Sequence, residues 1–339
     1  MRARRRGFVL LAVLWLVVAL AAVGLDAALR SQAQRLDAVN HIDAGRAREA
    51  ALAGSEYARS RLTAALLERR DELEAEVRRA GAQGGVSANR SRNMLMAQLA
   101  QDDPWHEPAR FIMPSMELGD AEFFVHARDT GMMLNINSAP EEMLRDFFAQ
   151  GMRIDYAWAD RLAQAILDWR DEDDLPRVNG AERDEYLAAG AAVLPANRPF
   201  NDVSELRFVL GMTPELFDAI RPHLTTMGSG RINVNAAPRE LLAAVPTFTP
   251  AVVEQIIMLR ESGVLIRNTT DLRNALGNGF TMPTGAELQN LTRRVTFATN
   301  EVEIVSRGRV VGSPVTATVR SIVGRSQTAA LLLLRRLES

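Results

Sequence analysis

The chain has 339 residues, 40 of them basic and 42 acidic, for a formal charge of −2; every basic residue is arginine and there is no cysteine. An apolar fraction of 47% and a charged fraction of 24% describe a chain that folds, with length for about two domains, and exclude a disordered or collagen-like one. The lack of cysteine excludes disulfides, thiolate metal sites and a thiol nucleophile, and the balanced charge gives the whole chain no attraction for nucleic acid.

Arg2, Arg4, Arg5 and Arg6 precede Gly7, and an apolar run then extends from Phe8 to Leu25 before Asp26. As a helix this run is about 27 Å long, enough to cross the hydrocarbon of a bilayer. The arginines on its N-terminal side predict a single-pass protein with a cytoplasmic N-terminus and an exported remainder. A cleaved secretory signal is the alternative. The Arg6-Gly7-Phe8 junction resembles a type IV prepilin leader, which implies cleavage between Gly7 and Phe8, N-methylation of Phe8 and retention of the apolar helix. Most pilins and pseudopilins carry Glu at the fifth mature position; here it is Ala12. A subunit without that carboxylate fits poorly in the middle of a filament and is expected at an end.

From Asp26 to about Arg79 the pattern is helical, with Leu29, Leu36, Val39, Ile42, Ala50, Tyr57, Leu62 and Leu66 on one face and a bend expected at Gly45 and Gly54. A polar break follows at Gly81–Arg92, then a short helix over 93–100. Extended segments are expected at Arg110–Glu117 and Glu122–Ala127, joined by a turn at Leu118-Gly119-Asp120. Residues 134–294 read as short helices separated by Pro and Gly. The tail returns to strands, with Gly308, Gly312 and Gly324 as turn positions.

Leu134–Leu144 (LNINSAPEEML) and Ile232–Leu242 (INVNAAPRELL) are an internal repeat. In each, an Asn-x-Asn strand leads into a helix start, with Asn137 or Asn235 as candidate cap and Pro140 or Pro238 early in the first turn. The phrase also resembles the opening of helix-hairpin-helix DNA modules. Their Gly-x-Gly hairpin is missing at Gln150-Gly151-Met152, at Gly211-Met212-Thr213 and at Thr247-Phe248-Thr249. Residues 141–185 hold 13 acidic side chains against 6 arginines, which repels a polyanion. A membrane-anchored DNA receptor is therefore the secondary reading.

The densest acidic stretch is Asp168–Asp174 with Glu182–Glu185. By composition it suits a hard cation such as Ca²⁺ or is a solvated helix end; Leu175 and Pro176 break the EF-hand pattern. No catalytic constellation appears: His41, His106, His126 and His223 are scattered, and neither a nucleophile elbow nor a Walker loop is present.

Taken together, the Gly7-Phe8 leader, Ala12, the two Asn-x-Asn-x-Ala-Pro repeats, Asp168-Trp169-x-Asp171-x-Asp173 with Gly180-Ala181-Glu182, and Ser204-Glu205-Leu206 with Gly211–Glu215 resemble the type II secretion minor pseudopilin K (general secretion pathway protein K) family. The resemblance implies an α+β fold: a long N-terminal pilin helix and an antiparallel sheet, interrupted by a large helix-hairpin-helix or SAM-like insert. Its divisions would be a leader over 1–7, a transmembrane helix over 8–25, the pilin helix and first strands over 26–133, the insert over 134–294 and closing strands over 295–339. It further implies a non-enzymatic subunit that starts and caps a periplasmic pseudopilus for export of folded proteins. Its partners would be other minor pseudopilins, the major pseudopilin, a prepilin peptidase and inner-membrane lipid, without nucleic acid. The resemblance also implies structural calcium on Asp168, Asp171, Asp173, Glu182 and Asp184.

Overall fold

A computed structural model describes residues 3–82, 105, 110, 112–277, 283–325 and 331–338. Helix α1 (Ala3–Ala82) is unbroken for 80 residues, about 120 Å. It contains no proline and is rich in Ala, Arg, Glu and Leu, the residues that lose least on becoming helical. Ala47, Ala50, Ala51, Ser55, Ala58, Leu62, Ala65 and Leu66 form its buried stripe at i, i+3, i+4, i+7 spacing.

That stripe lies across one antiparallel sheet of β1 (Ser115–Leu118), β2 (Ala121–Asp129), β7 (Glu301–Val310), β8 (Thr316–Arg325) and β9 (Leu331–Glu338), in the order β1-β2-β7-β8-β9. Leu62 and Leu66 pack with Phe123, Val125, Ala127, Val302, Ile304, Val323 and Trp105. Closer to the N-terminus only small residues fit. A Cβ on Gly54 would sit 2.7 Å from the Phe123 ring and nearer still to the Ser306 hydroxyl. A Cβ on Gly308 would sit 2.5 Å from the Ala51 nitrogen and nearer still to the Ala47 carbonyl oxygen. The Ser55 and Ser321 hydroxyls meet across the seam at 2.9 Å.

Several expectations change here. The helix runs unbroken through Gly54, which lets it touch the sheet. Gly308 and Gly324 are not turns but lie inside β7 and β8, and Gly308 is a glycine because the α1 backbone passes over it. Gly119 and Gly312 do turn the chain, at φ +67° and +83°. The first hairpin strand starts at Ser115 rather than Arg110, and its partner reaches Asp129. The helix expected over 93–100, and most of the break before it, lie outside the described residues.

β2 and β7 pair along their full length, from Ala121↔Val310 to Asp129↔Val302, although residues 130–300 separate them in the chain. Those residues form two similar modules. The first runs from β3 (Leu134–Asn135) through α2 (Glu141–Asp146), a π-turn over Phe147–Gly151, α3 (Tyr156–Arg170), α4 (Arg183–Ala188) and α5 (Pro214–Ile220) to β4 (Leu224–Thr225), and β3 pairs with β4 in parallel. The second runs from β5 (Ile232–Asn233) through α6 (Arg239–Leu242), α7 (Pro250–Glu261), α8 (Thr269–Leu276) and α9 (Gly285–Arg294) to β6 (Val295–Thr296), with β5 parallel to β6. One apolar core spans both, from Leu134 to Val295.

The repeated asparagines are the hubs of these modules. Asn137 accepts from the Phe200 N–H at 2.8 Å and donates to the carbonyls of Phe200 and Thr226. Asn235 accepts from the Ile266 N–H at 3.0 Å and donates to the carbonyls of Ile266 and Phe297. An amide is suited to this because it carries donor and acceptor on one plane. The capping expectation is corrected: Pro140 and Pro238 themselves are the N-cap residues of α2 and α6, and among the described residues neither helix has a side-chain cap.

The modules join the sheet at Asp129, which is buried at the end of β2. Its carboxylate accepts from the Gly131 N–H (2.8 Å), the Asn233 amide (2.6 Å) and the Thr299 hydroxyl (2.8 Å). Nearby, buried Glu303 pairs with Arg128 at 2.8 Å and Arg320 at 3.4 Å, and Arg320 reaches Asp202 of the first module at 3.2 Å.

Candidate functional site

The first candidate region is the free part of α1. Every residue from Val13 to Ile42 is exposed, a projection of about 45 Å. It carries Leu14, Trp15, Leu16, Leu20, Val23 and Leu25, and further on Leu29, Leu36, Val39 and Ile42. The helix is long and apolar enough to cross a membrane. The expected common face divides in two: Ala50, Leu62 and Leu66 face the sheet, whereas Leu29, Leu36, Val39 and Ile42 project beyond it. The helix leaves the domain beside the β1–β2 turn, where Arg46 pairs with Asp120 at 2.9 Å. The helical modules are attached at the opposite end of the sheet, past Asp129 and Val302. Gly7, Phe8 and Ala12 fall in the first turns of this helix.

The second region is the acidic loop. In the first module Arg170 ends α3 and donates to the carbonyls of Ile136 and Ala139; in the second, Arg260 near the end of α7 donates to Ala237. Phe200 and Ile266 then occupy matching places against Asn137 and Asn235. The chain covers that interval with residues 261–265 in the second module and 171–199 in the first. The acidic loop is thus an insertion specific to module one. Burial, and then the charge of Arg177, lower the Arg170 pKa to about 10 against the opposing charge of Asp171, and its guanidinium donates to the carbonyls of Ile136 and Ala139.

Within the loop, one oxygen each of Asp171, Asp173 and Glu182 lie within 4.8 Å of one another. Glu182 is 2% exposed, and among the described residues neither of its carboxylate oxygens has a hydrogen-bond partner; Asp171 Oδ1 is likewise buried with no partner among them. Burial, then the charges of Asp168, Asp171, Asp174 and Asp173, push the Glu182 carboxyl up to about 7. Buried unpaired carboxylate oxygens are costly, and a cation among them removes that penalty. The oxygen-only donor set fits a hard divalent ion such as Ca²⁺.

The other two expected ligands lie outside this group. Asp168 is fully buried and bound by Arg177; Asp184 is exposed in the first turn of α4. Arg177, to which residue types alone assigned no role, bridges Asp168 and Asp171, the latter at 2.6 Å. Burial opposes its charge, yet the hydrogen bonds to Asp171 and Asp168 raise its pKa. Gly180 is required here, because a Cβ would overlap the Asp168 carboxylate. Asn197, at φ +46°, ties Asp174 down at 2.8 Å. Trp169 anchors the base of the loop, stacked on Phe200 at 5.8 Å.

The hairpin of module one serves packing. A Cβ on Gly151 would lie 2.5 Å from the Glu240 carbonyl oxygen, so module two covers the surface that a phosphate would approach. His223 sits edge-on to Phe147 at 6.3 Å, an aromatic packing role.

A projecting apolar helix whose second half crosses an antiparallel sheet defines a pilin-like α+β protein. Residues 131–229 match the family model for type II secretion system (T2SS), protein K. Type II secretion system protein K of Klebsiella pneumoniae is 34% identical over 93 residues, 27% of this chain and 28% of that protein. The protein of the same name from Pseudomonas aeruginosa is 28% identical over 275 residues, 77% of this chain and 74% of that one. The match thus spans under a third of the Klebsiella protein and about three quarters of the Pseudomonas one. In the crystal structure of the GspK-GspI-GspJ complex from enterotoxigenic Escherichia coli, a chain with 18% identity superposes with a TM-score of 0.50 over 80% of this chain and 99% of that one. Over these spans the chain is similar to type II secretion system protein K.

Proposed function

We propose that this protein is a non-enzymatic minor pseudopilin that starts and caps a short periplasmic pseudopilus. The observation that carries this reading is polarity: α1 leaves one end of the sheet and the two helical modules sit at the other. Sister subunits can pack beside the projecting helix and below the head. A subunit above would meet the modules. Ala12 adds to this, since it provides no carboxylate for the N-terminal amine of a neighbour.

The helix lies in the inner membrane before assembly, N-terminus cytoplasmic and head periplasmic, as the N-terminal arginines favour. A prepilin peptidase cleaves between Gly7 and Phe8 and Phe8 is N-methylated. The other minor pseudopilins and the major pseudopilin are the partners, through the exposed face of α1. The solved complex that shares the fold joins GspK with GspI and GspJ, which supports this partner class. A structural Ca²⁺ is held by Asp171, Asp173 and Glu182, with Asp168 and Asp184 as further candidates.

Gly7→Ala in cells expressing the secretion system is expected to leave the leader attached. Unchanged N-terminal sequencing and mass would refute the prepilin reading. For calcium, chelation of the purified full chain in detergent is expected to lower its melting temperature. An ion at a hundred times its Kd contributes about 2.7 kcal/mol, and an unmoved melting curve counts against the site.

A further inference from the structure

We infer that Arg177 is the resident cation of the acidic loop: its guanidinium holds the carboxylates together when no metal is bound and competes with the metal for Asp171. This rests on the calcium reading above and adds a residue to it. Asp171, Asp173 and Glu182 bring carboxylate oxygens within 4.8 Å of one another, and Asp168 and Asp171 share Arg177. Arg170, next in sequence to Asp171, is turned to the backbone of the Asn-x-Asn repeat. Arg177 bonds both Asp168 and Asp171, and its backbone N–H also donates to Asp168 Oδ2 at 3.2 Å. Asp171 is therefore split: Oδ2 faces Arg177, Oδ1 has no hydrogen-bond partner among the described residues, and one oxygen of this carboxylate lies within 4.8 Å of an oxygen of Glu182. A metal held by Oδ1 shares its carboxylate with a fixed positive charge.

Two opposite effects follow from one charge. Removing Arg177 leaves Asp168 buried without its counter-ion, which destabilises the ion-free protein. It also removes a repelling charge from beside the ion, which strengthens ion binding. A side chain that merely braces the loop would weaken the protein with and without metal alike.

The test uses the full chain in detergent, with Arg177→Met and Arg177→Lys, titrated with CaCl₂ by calorimetry and melted in EGTA and in CaCl₂. Arg177→Met is expected to melt lower than wild type in EGTA, to recover most of that loss in CaCl₂, and to bind Ca²⁺ on the order of ten-fold more tightly. Arg177→Lys keeps the charge and is expected to retain an affinity within about three-fold of wild type. Unchanged or weaker binding by Arg177→Met, or an equal loss of melting temperature in both buffers, overturns this inference while calcium binding by wild type stands. No heat of binding and no EGTA effect in wild type overturns the calcium reading and this one with it.

Discussion

Gly308→Ala tests how the pilin helix is seated. The added Cβ would lie 2.5 Å from the Ala51 nitrogen and closer still to the Ala47 carbonyl oxygen, both in the α1 backbone. Reaching ordinary contact requires the helix and β7 to separate by about 1 Å, because backbone cannot rotate away as a side chain can. Ala47, Ala50 and Ala51 are essentially fully buried in this seam, and a gap of that size forfeits a quarter to half of each dispersion contact. With overpacking at roughly 1–3 kcal/mol and backbone on both sides of the clash, the loss is placed at about 3 kcal/mol. For a domain of this size that lowers the melting temperature by about 6–12 °C. The assay is thermal unfolding of the full chain in detergent, followed by near-ultraviolet circular dichroism. Gly45→Ala is the control: it lies in the same helix, and a Cβ there would have no atom of the described residues within 4 Å, so it is expected to be neutral or to stabilise by up to about 1 kcal/mol. If Gly308→Ala melts within about 2 °C of wild type, the helix is not held by this close approach.

Asn235→Ala removes one acceptor and two donated bonds that link three segments of chain, and is expected to cost about 2–4 kcal/mol in urea unfolding; Asn137→Ala should behave alike, and a loss under about 0.5 kcal/mol would refute the hub role. Asp129→Ala strands the Asn233 amide, the Thr299 hydroxyl and the Gly131 N–H at the junction of sheet and modules. It is expected to destabilise by about 3 kcal/mol and to raise hydrogen exchange around 130–136 and 230–236, while exchange in β8 stays near wild type; a uniform increase would mean that no distinct junction exists.

Much of the architecture is legible in the order of the residues. An arginine-flanked apolar run followed by a helical period announces a long helix wherever the chain later folds, because hydrophobic length and propensity are local properties. The Asn-x-Asn-x-Ala-Pro repeat marks the two modules, and Gly119-Asp120 marks a hairpin turn by its chemistry. The acidic loop is visible as charge density, and Asp171, Asp173 and Glu182 are among the residues it singles out. Its internal order is not: which carboxylates meet Arg177 and which cluster with Glu182 depends on how the loop closes over Trp169.

The identity of a glycine is equally mute. Gly308 and Gly312 are four positions apart; one turns the chain and the other lies flat under a helix more than 250 residues away. Asn137 and Asn235 suit helix caps by type, yet their partners come from segments about 30 or more residues distant. The membrane-length helix, the duplication and the composition of the loop are dictated by residues that neighbour one another along the chain, and need no fold to be read. That β2 pairs with β7 across the whole insert, which end of the sheet the modules occupy and which acids converge were settled by folding alone. Those outcomes rest on long-range contacts, whose energies appear only when distant segments are brought within a few ångströms.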